Sequence, residues 1–294
     1  MKALKYLNKY FLKYKYRLLI GLSITFFSNY LALQIPQLIS NSLDIAQDFK
    51  NGVISDLAMV KSDLLNNILL IIGAALLSGF FTFLMRQMII VTSRLIEFDL
   101  KNEIYQQYQR LSLNFYKKNK TGDLMNRISE DVSKVRMYFG PAVMYTMNMI
   151  VLFAVAIIKM YNIDTTLTNY TLLPLPVLSV SIYLLSRVIN KRSMIVQQYL
   201  SKLTANAQET FSGISILKSY GIEKNAMVEF GTISEISKEK NIDLFKAQAL
   251  FFPLMVLLIG LSNILVIYIG GLRYISVEIS IGVIAEFIMY VNML

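Results

Sequence analysis

The chain has 294 residues, of which 55% are hydrophobic, and carries a formal net charge of +10. A water-soluble protein of this length would need an implausibly large core to bury so many apolar side chains, so a lipid bilayer is the expected solvent. The chain contains no cysteine and no histidine. This excludes disulfides, thiolate metal sites and the histidine-dependent acid–base and zinc chemistry of many enzymes.

The N-terminal segment is basic and amphipathic. Residues 1–17 contain six Lys and Arg residues and no acid, while apolar residues recur every three or four positions along one face, at Leu4, Leu7, Phe11, Tyr14 and Leu18. This spacing predicts an amphipathic helix at the cytoplasmic membrane interface. A cleaved signal peptide is disfavoured, because the basic stretch is too long and the apolar run after it has no small-residue cleavage site. The placement of the charge indicates membrane topology rather than nucleic-acid binding.

Six apolar stretches follow and predict six transmembrane helices. They are approximately residues 18–39, 64–85, 142–158, 172–185, 249–269 and 281–294. Most are long enough to cross about 30 Å of hydrocarbon at about 1.5 Å per residue. The fourth needs flanking residues, about 169–186, to reach that length, and Pro36 is predicted to kink the first.

The two long connections are basic and predict the orientation. Residues 86–138 contain ten Lys and Arg against six Asp and Glu, and residues 187–246 contain nine against six, whereas Asp44–Asp63 is acidic. The positive-inside rule places the N-terminus and both long loops in the cytoplasm. An integral protein of a bacterial inner (plasma) membrane is the expected setting.

The long loops are predicted to be helical hairpins. No proline or glycine interrupts residues 86–110, so the second span is expected to continue into the cytoplasm as one helix. Thr121 or Asp123 is expected to cap a returning helix whose apolar stripe includes Ile128, Val132 and Phe139. The predicted fold is therefore an all-α membrane protein with six transmembrane helices and two long cytoplasmic hairpins.

Two motifs at the hairpin tips resemble those of a known family. The sequence NFY at 114–116, followed by TGDLMNRISEDV at 121–132, resembles the first intracellular loop of ABC exporter membrane domains. The sequence ETFSGISILKSY at 209–220, with Glu223 after it, resembles their second intracellular loop. The resemblance covers essentially the whole chain and implies that residues 18–294 are an ABC exporter-type transmembrane domain.

The resemblance also implies roles for the tips. In this family the tips are coupling helices that dock into nucleotide-binding domains. The first coupling helix corresponds to Ser112, Leu113, Asn114, Phe115, Tyr116 and Lys117, and the second to Glu209, Thr210, Phe211, Ser212, Gly213 and Ile214. The residues that match the family's loop motif are Thr121, Gly122, Asp123, Arg127 and Asp131. Phe115, Tyr116 and Phe211 are the expected apolar anchors, with packing of the hairpin itself as the alternative. A local ion pair is an equally good interpretation of Arg127 and Asp131.

The sequence lacks the elements that hydrolyse ATP. No glycine is followed by lysine, so there is no phosphate-binding loop of the GxxxxGK[ST] type. The predictions are no catalytic residue, no metal site and no cofactor in this chain, with ATP and Mg²⁺ held by a nucleotide-binding domain that the resemblance implies elsewhere. The run 281–294 is expected to be the first part of a truncated sixth helix. The implied partners are membrane lipid, a second transmembrane domain in a homo- or heterodimer, and nucleotide-binding domains.

Polar residues inside the spans are the candidates for a substrate pathway. Glu286 is the foremost, because an isolated carboxylate in a span is costly and tends to face a cavity or a partner. The other candidates are Gln34, Asn41, Asn148 and Asn263, for which interhelical hydrogen bonding is an equally good explanation.

Three alternative functions stay open at this stage. A free-standing membrane subunit could recruit a separate ATPase, a secondary transporter would need charged residues or broken helices near the midplane of both halves, and a non-transporting scaffold is the third. Nothing in the sequence selects a lipid, a peptide or a drug as substrate.

Overall fold

The computed structural model describes residues 2–294, with side chains from Tyr6 onward, and the described residues are almost entirely helical. The helices are α1 (Lys2–Lys13), α2 (Lys15–Ala32), α3 (Gln34–Lys50), α4 (Leu57–Arg110), α5 (Leu113–Lys118), α6 (Thr121–Asn126), α7 (Val132–Met137), α8 (Val143–Ile163), α9 (Thr165–Leu172), α10 (Pro174–Ser212), α11 (Ile214–Tyr220), α12 (Glu223–Ala249), α13 (Phe251–Ile275) and α14 (Ile281–Met293). Five helical segments are long and apolar enough to cross a bilayer, and α14 is a shorter apolar helix. The all-α membrane fold predicted from the sequence is confirmed.

The chain forms two compact units. The first contains the described residues up to Thr168 together with Gly270–Leu294, and the second is Asn169–Ile269. In the first unit, α2 packs along α4 and α8, and α14 packs along α3. In the second, α10 packs along α12.

The first span is broken where the sequence predicts a kink. Helix α2 ends at Ala32 and α3 begins at Gln34, two residues before Pro36. Proline has no N–H to donate to the carbonyl four residues earlier, so the helical hydrogen-bond ladder fails at Ala32. Helix α3 then continues to Lys50. Asp44 and Asp48 therefore lie on a helix, and the turn that follows occupies only residues 51–56.

Helix α4 is one unbroken element of 54 residues. At about 1.5 Å per residue its length is about 80 Å, so roughly 50 Å extends beyond a bilayer core about 30 Å thick. A stiff rod of this kind needs the uninterrupted run of helix formers that residues 86–110 provide.

The returning arm of the first hairpin contains two π-helical segments, Arg127–Asp131 and Tyr138–Ala142. Pro141 accounts for the second, because it removes a donor from the α-helical ladder. Gly140 lies so close to α4 that a Cβ atom there would be 2.7 Å from the Ser93 hydroxyl. Val132 and Phe139 are buried on the predicted apolar stripe, which holds this arm against α4.

Helix α1 buries its apolar face against the protein. Tyr10 is buried in a cluster with Ile96, Leu100, Val132 and Phe139, and Leu7, Phe11 and Tyr14 pack against it. On the flank, the Lys9 Nζ lies 2.5 Å from Glu103 Oε2 and the Lys13 Nζ lies 2.5 Å from Asp99 Oδ2. The predicted apolar stripe is therefore present, and it packs against the part of α4 that follows the second apolar stretch.

Acidification is expected to weaken this docking of α1. Hydrogen bonds from Lys9, Tyr10 and Tyr6 lower the pKa of Glu103 to about 2. A carboxyl with a lowered pKa stabilises the folded form above its ordinary pKa of 4.5 and loses that contribution as the pH falls toward 2. The pair is largely exposed, so its contribution is under about 1 kcal/mol. Glu103→Gln should increase proteolysis within α1 at pH 7, and the increase should become smaller below pH 4.5 and disappear near pH 2.

Candidate functional site

The first hairpin tip is a short helix that displays apolar side chains. Helix α5 begins after Ser112 and ends at Lys118, so it overlaps the predicted segment and extends one residue beyond Lys117. The Tyr116 hydroxyl donates to the Tyr108 carbonyl at 2.5 Å and so fastens α5 to the end of α4. Leu113 is 72% exposed, whereas Phe115 is half-buried and packs edge-on against Tyr116 at 5.6 Å. The most exposed apolar side chain at this tip is therefore Leu113, which was predicted as part of the coupling helix but not as one of its apolar anchors.

The loop motif after this tip differs locally from expectation. Helix α6 starts at Thr121 with Lys120 as its N-cap residue, and no side chain caps it among the described residues. The prediction that Thr121 or Asp123 caps this helix is therefore wrong. The negative charge of Asp123 in the first turn still interacts favourably with the positive end of the helix dipole. Gly122 has no neighbour within 4 Å of a Cβ position.

The predicted Arg127–Asp131 ion pair is also absent from the described ion pairs. Lys134 Nζ is the partner of Asp131, at 3.2 Å from Oδ1. Residues 127–131 form a π-helical turn, in which the wider winding moves residues four apart out of the alignment that an α-helix gives them.

The second tip is placed differently from the sequence prediction. Glu209, Thr210 and Ser212 belong to the end of α10, and the short tip helix is α11, Ile214–Tyr220, beyond a turn at Gly213. The predicted segment Glu209–Ile214 is therefore not a separate helix. Nothing before Gly213 disrupts α10, whereas Gly213 with φ −95° and ψ 17° leaves the helical conformation.

The end of α11 is fixed by a glycine and an ion pair. Gly221 adopts φ +64°, a left-handed conformation that favours glycine at a helix end. Lys218 pairs with Glu223 at 3.3 Å. The amide of Glu223 and the Lys218 ammonium together hold the pKa of the Glu223 carboxyl below its usual value.

The second tip carries an exposed apolar surface. Phe211 is 72% exposed and Tyr220 is 78% exposed. Beside them lies a groove of about 610 Å³ between the end of α10, α11 and the start of α12, lined by Phe211, Ile214, Leu217, Met227 and Phe230 among others. A water-exposed apolar groove at the tip of a charged hairpin is typical of a protein interaction site.

Glu286 lies in a buried polar cluster between the first, third and sixth spans. The Tyr290 hydroxyl donates to Glu286 Oε1 at 2.7 Å and lies 3.2 Å from the Leu33 carbonyl. Lys159 Nζ donates to the same carbonyl at 3.1 Å and to Gln37 Oε1 at 3.2 Å, and it attracts Glu286 electrostatically. The break in the first span thus supplies an acceptor for side chains from two other helices. We call Lys159, Glu286, Tyr290 and the Leu33 carbonyl the Glu286 cluster.

A second contact joins α3 to the start of α14. Asp44 Oδ1 accepts from the Gly282 amide at 2.9 Å, and Asp44 Oδ2 accepts from the Ser280 hydroxyl at 2.7 Å. The carboxylate therefore caps the N-terminus of α14 from another helix and complements its dipole.

The structure separates the predicted pathway residues. Glu286 is buried and paired, Gln34 is half-buried beside the break, and Asn41 is exposed on α3. Asn148 accepts a hydrogen bond from Asn29 in a different cavity, and Asn263 belongs to the second unit, where its amide oxygen has no hydrogen-bond partner within residues 2–294. Lys159, the cluster's cation, was missed because it lies one residue beyond the third apolar stretch.

Long apolar helices, two helical hairpins and exposed apolar tips together are the features of a transport-type membrane domain. The sequence profile of the family described as "ABC transporter transmembrane region" matches residues 18–294. The chain belongs to this family.

Several relatives are full-length proteins whose names combine transport and ATP binding. The chain is 28% identical over its whole length to a multidrug resistance-like ATP-binding protein, MdlA, of Buchnera aphidicola subsp. Baizongia pistaciae, and covers 50% of that protein. It is 29% identical over 67% of its length to the MdlA protein of Escherichia coli K12, of which it covers 33%. It is 24% identical over 96% of its length to a putative multidrug export ATP-binding/permease protein of Staphylococcus aureus NCTC 8325, of which it covers 48%. The chain thus spans half or less of the length of these relatives.

Proposed function

We propose that this chain is the transmembrane domain of an ATP-driven exporter, which forms the substrate pathway and transmits motion through its hairpin tips. The observation that supports this most directly is the combination of an unbroken 54-residue helix with exposed apolar side chains at both tips. A rod that leaves the membrane and ends in an unpaired apolar surface can transmit the movement of a docked domain. The names of the relatives point the same way, since they pair export with ATP binding.

The proposal includes partners that hold the nucleotide. Nucleotide-binding domains, from the same gene product or from a separate ATPase chain, dock at α5 and at the groove beside α11, and they carry ATP and Mg²⁺. A second transmembrane domain, identical or homologous, completes the transporter in a bacterial plasma membrane. Multidrug-type apolar substrates are the class that the relatives' names suggest.

Cross-linking tests the docking. These 294 residues contain no cysteine, so Asn114→Cys and Ser212→Cys introduce the only thiols of this domain, one at each tip. In the complete gene product, expressed with any ATPase chain encoded beside it, both thiols should cross-link to a nucleotide-binding domain, with a yield that changes when ATP and Mg²⁺ are added. Transport that continues without ATP and stops with a protonophore, with no cross-link at either tip, would instead indicate a secondary transporter.

We also propose that the N-terminus and both hairpins are cytoplasmic. The acidic segment 44–63 and the two basic hairpins support this orientation. Asp48→Cys, on the exposed face of α3, should react with a membrane-impermeant maleimide in intact cells, whereas Ser212→Cys should react only after permeabilisation. Labelling in the opposite order would reverse the topology.

A further inference from the structure

A polar cavity lies inside the first unit, apart from the Glu286 cluster. It has a volume of about 180 Å³ and lies between α2, α4 and α8. Its polar lining includes Ser28, Asn29, Thr82, Arg86, Tyr145 and Asn148. Pockets for whole drug-sized ligands are about 300–1,000 Å³, so this one has room for a small polar group and not for a complete drug.

The cavity wall is ordered by hydrogen bonds. The Ser28 hydroxyl lies 2.8 Å from the Thr82 hydroxyl, and the hydroxyls of Ser28 and Ser78 each donate to the other residue's carbonyl at 3.1 Å. Asn29 Nδ2 donates to the Thr25 carbonyl at 3.1 Å and to Asn148 Oδ1 at 3.0 Å. Asn29 is 8% exposed, so the rim of the cavity is fixed in place before any ligand arrives.

Two groups at this wall keep unused donors. The amide nitrogen of Asn148 has no partner among residues 2–294, because its oxygen takes the only hydrogen bond described for that side chain. Arg86 forms no ion pair in the same range, and no acidic residue lines the cavity. A guanidinium is always charged and carries five N–H donors. The groups at this cavity without a protein partner among the described residues are therefore a cation, Arg86, and a hydrogen-bond donor, the Asn148 amide. A ligand that satisfies both is an anion.

The position of Arg86 determines where that anion comes from. Arg86 directly follows the apolar run 64–85 on α4, so it lies at the depth where hydrocarbon gives way to head groups on the side of the hairpins. Apolar side chains also line the cavity, namely Ala32, Met85 and Met144 together with the ring of Tyr145, which is 63% exposed. A free inorganic ion would make no use of these side chains.

We propose that this cavity binds the anionic head group, a phosphate or a carboxylate, of an amphiphile drawn from the leaflet on the side of the hairpins. Arg86 pairs with the charge, the Asn148 amide donates a hydrogen bond to it, and the acyl part leaves the cavity along the exposed ring of Tyr145. Binding of this kind needs no ATP. Its test is therefore independent of the exporter function proposed above.

Lipid titration of the complete gene product, followed by native mass spectrometry, tests the proposal. Phosphatidylglycerol should give one tightly held molecule for each copy of this domain, whereas phosphatidylcholine should not. Arg86→Gln should weaken that binding by about tenfold, as expected for the loss of a hydrogen bond to a charged group, and Asn148→Ala should weaken it less. Arg86→Lys keeps the positive charge and should therefore retain part of the affinity. This variant still tests the site if Arg86→Gln does not fold.

Arg187→Gln is the matched control. Arg187 follows the fourth apolar stretch at the corresponding depth, and its described side-chain partner is the Tyr183 hydroxyl at 2.7 Å. An equal loss of binding in Arg86→Gln and Arg187→Gln would show general surface attraction and overturn the site. Unchanged binding in Arg86→Gln would overturn it too. Complete displacement of the lipid by inorganic phosphate, at the same concentration at which the lipid itself saturates the site, would show a site for a soluble anion. That result would contradict the proposed amphiphile.

Discussion

Gly282→Ala is expected to lower the stability of the folded protein by about 1–3 kcal/mol, the usual cost of an extra methyl group in a tightly packed site. A Cβ atom at this position would lie 2.3 Å from the Ser40 carbonyl oxygen and 2.7 Å from Asp44 Oδ1. The first of these is a backbone atom, so relief requires α14 to move away from α3. The same movement lengthens the Asp44–Gly282 hydrogen bond and disturbs the nearby Glu286 cluster.

Gly73→Ala is the control for this substitution. Gly73 is also helical and apolar in its surroundings, but a Cβ atom there has no neighbour within 4 Å. Alanine favours the helix by about 0.5–1 kcal/mol over glycine, so this variant should be neutral or slightly more stable. Thermal unfolding of the purified protein in one detergent compares the two. Equal melting temperatures for Gly282→Ala and Gly73→Ala would mean that the close approach of α14 to α3 is not a packing constraint.

The regular parts of this fold were predictable because they follow from local chemistry. The unbroken α4, the break before Pro36 and the apolar stripe through Val132 and Phe139 depend only on helix propensity, on a missing proline donor and on periodicity. Each of these features is determined by the residues of a single segment. Sequence patterns predict structure reliably where no contact with a distant segment changes the local conformation.

The errors arose where a distant partner or a change of winding decides the outcome. Arg127 and Asp131 are four residues apart, yet a π-helical turn separates them. The apolar face of α1 is satisfied by α4, nearly a hundred residues later in the chain. The sequence contains the residues that form these contacts, but it does not show which residues of two distant segments lie opposite each other.

The Glu286 cluster illustrates the same limit. An isolated carboxylate in a span was recognisable as unusual, but the nearby cation Lys159 was not, because the two residues are 127 positions apart in the sequence. The Leu33 carbonyl, at the break in the first span, accepts hydrogen bonds from both Lys159 and Tyr290 and so brings the three helices together. The cluster supports a role in holding three spans together, and a substrate role for Glu286 stays a prediction.

Phe211→Ala is expected to reduce transport and substrate-stimulated ATPase activity of the complete transporter by more than tenfold, with insertion into the membrane unchanged. Phe211 is 72% exposed and lines the apolar groove beside α11. It lies more than six helical turns beyond the fourth apolar stretch, too far to touch a substrate in the bilayer. Its effect must therefore act through an interface. Truncating a central aromatic anchor commonly costs about 2 kcal/mol or more of interface energy, and about 1.4 kcal/mol is a factor of ten in docking.

Leu113→Ala tests the other tip, and Phe98→Ala supplies the control. Leu113 is as exposed as Phe211, whereas Phe98 is a comparably exposed aromatic on the middle of the α4 extension, away from either tip. Both tip variants should lose cross-linking to the nucleotide-binding domain in parallel with transport, and Phe98→Ala should lose neither. Normal transport in both tip variants, with normal cross-linking, would assign these side chains to packing of the hairpins alone. Loss of transport with intact cross-linking would place the coupling step after docking, because the domains would still be joined while the movement no longer reached the membrane.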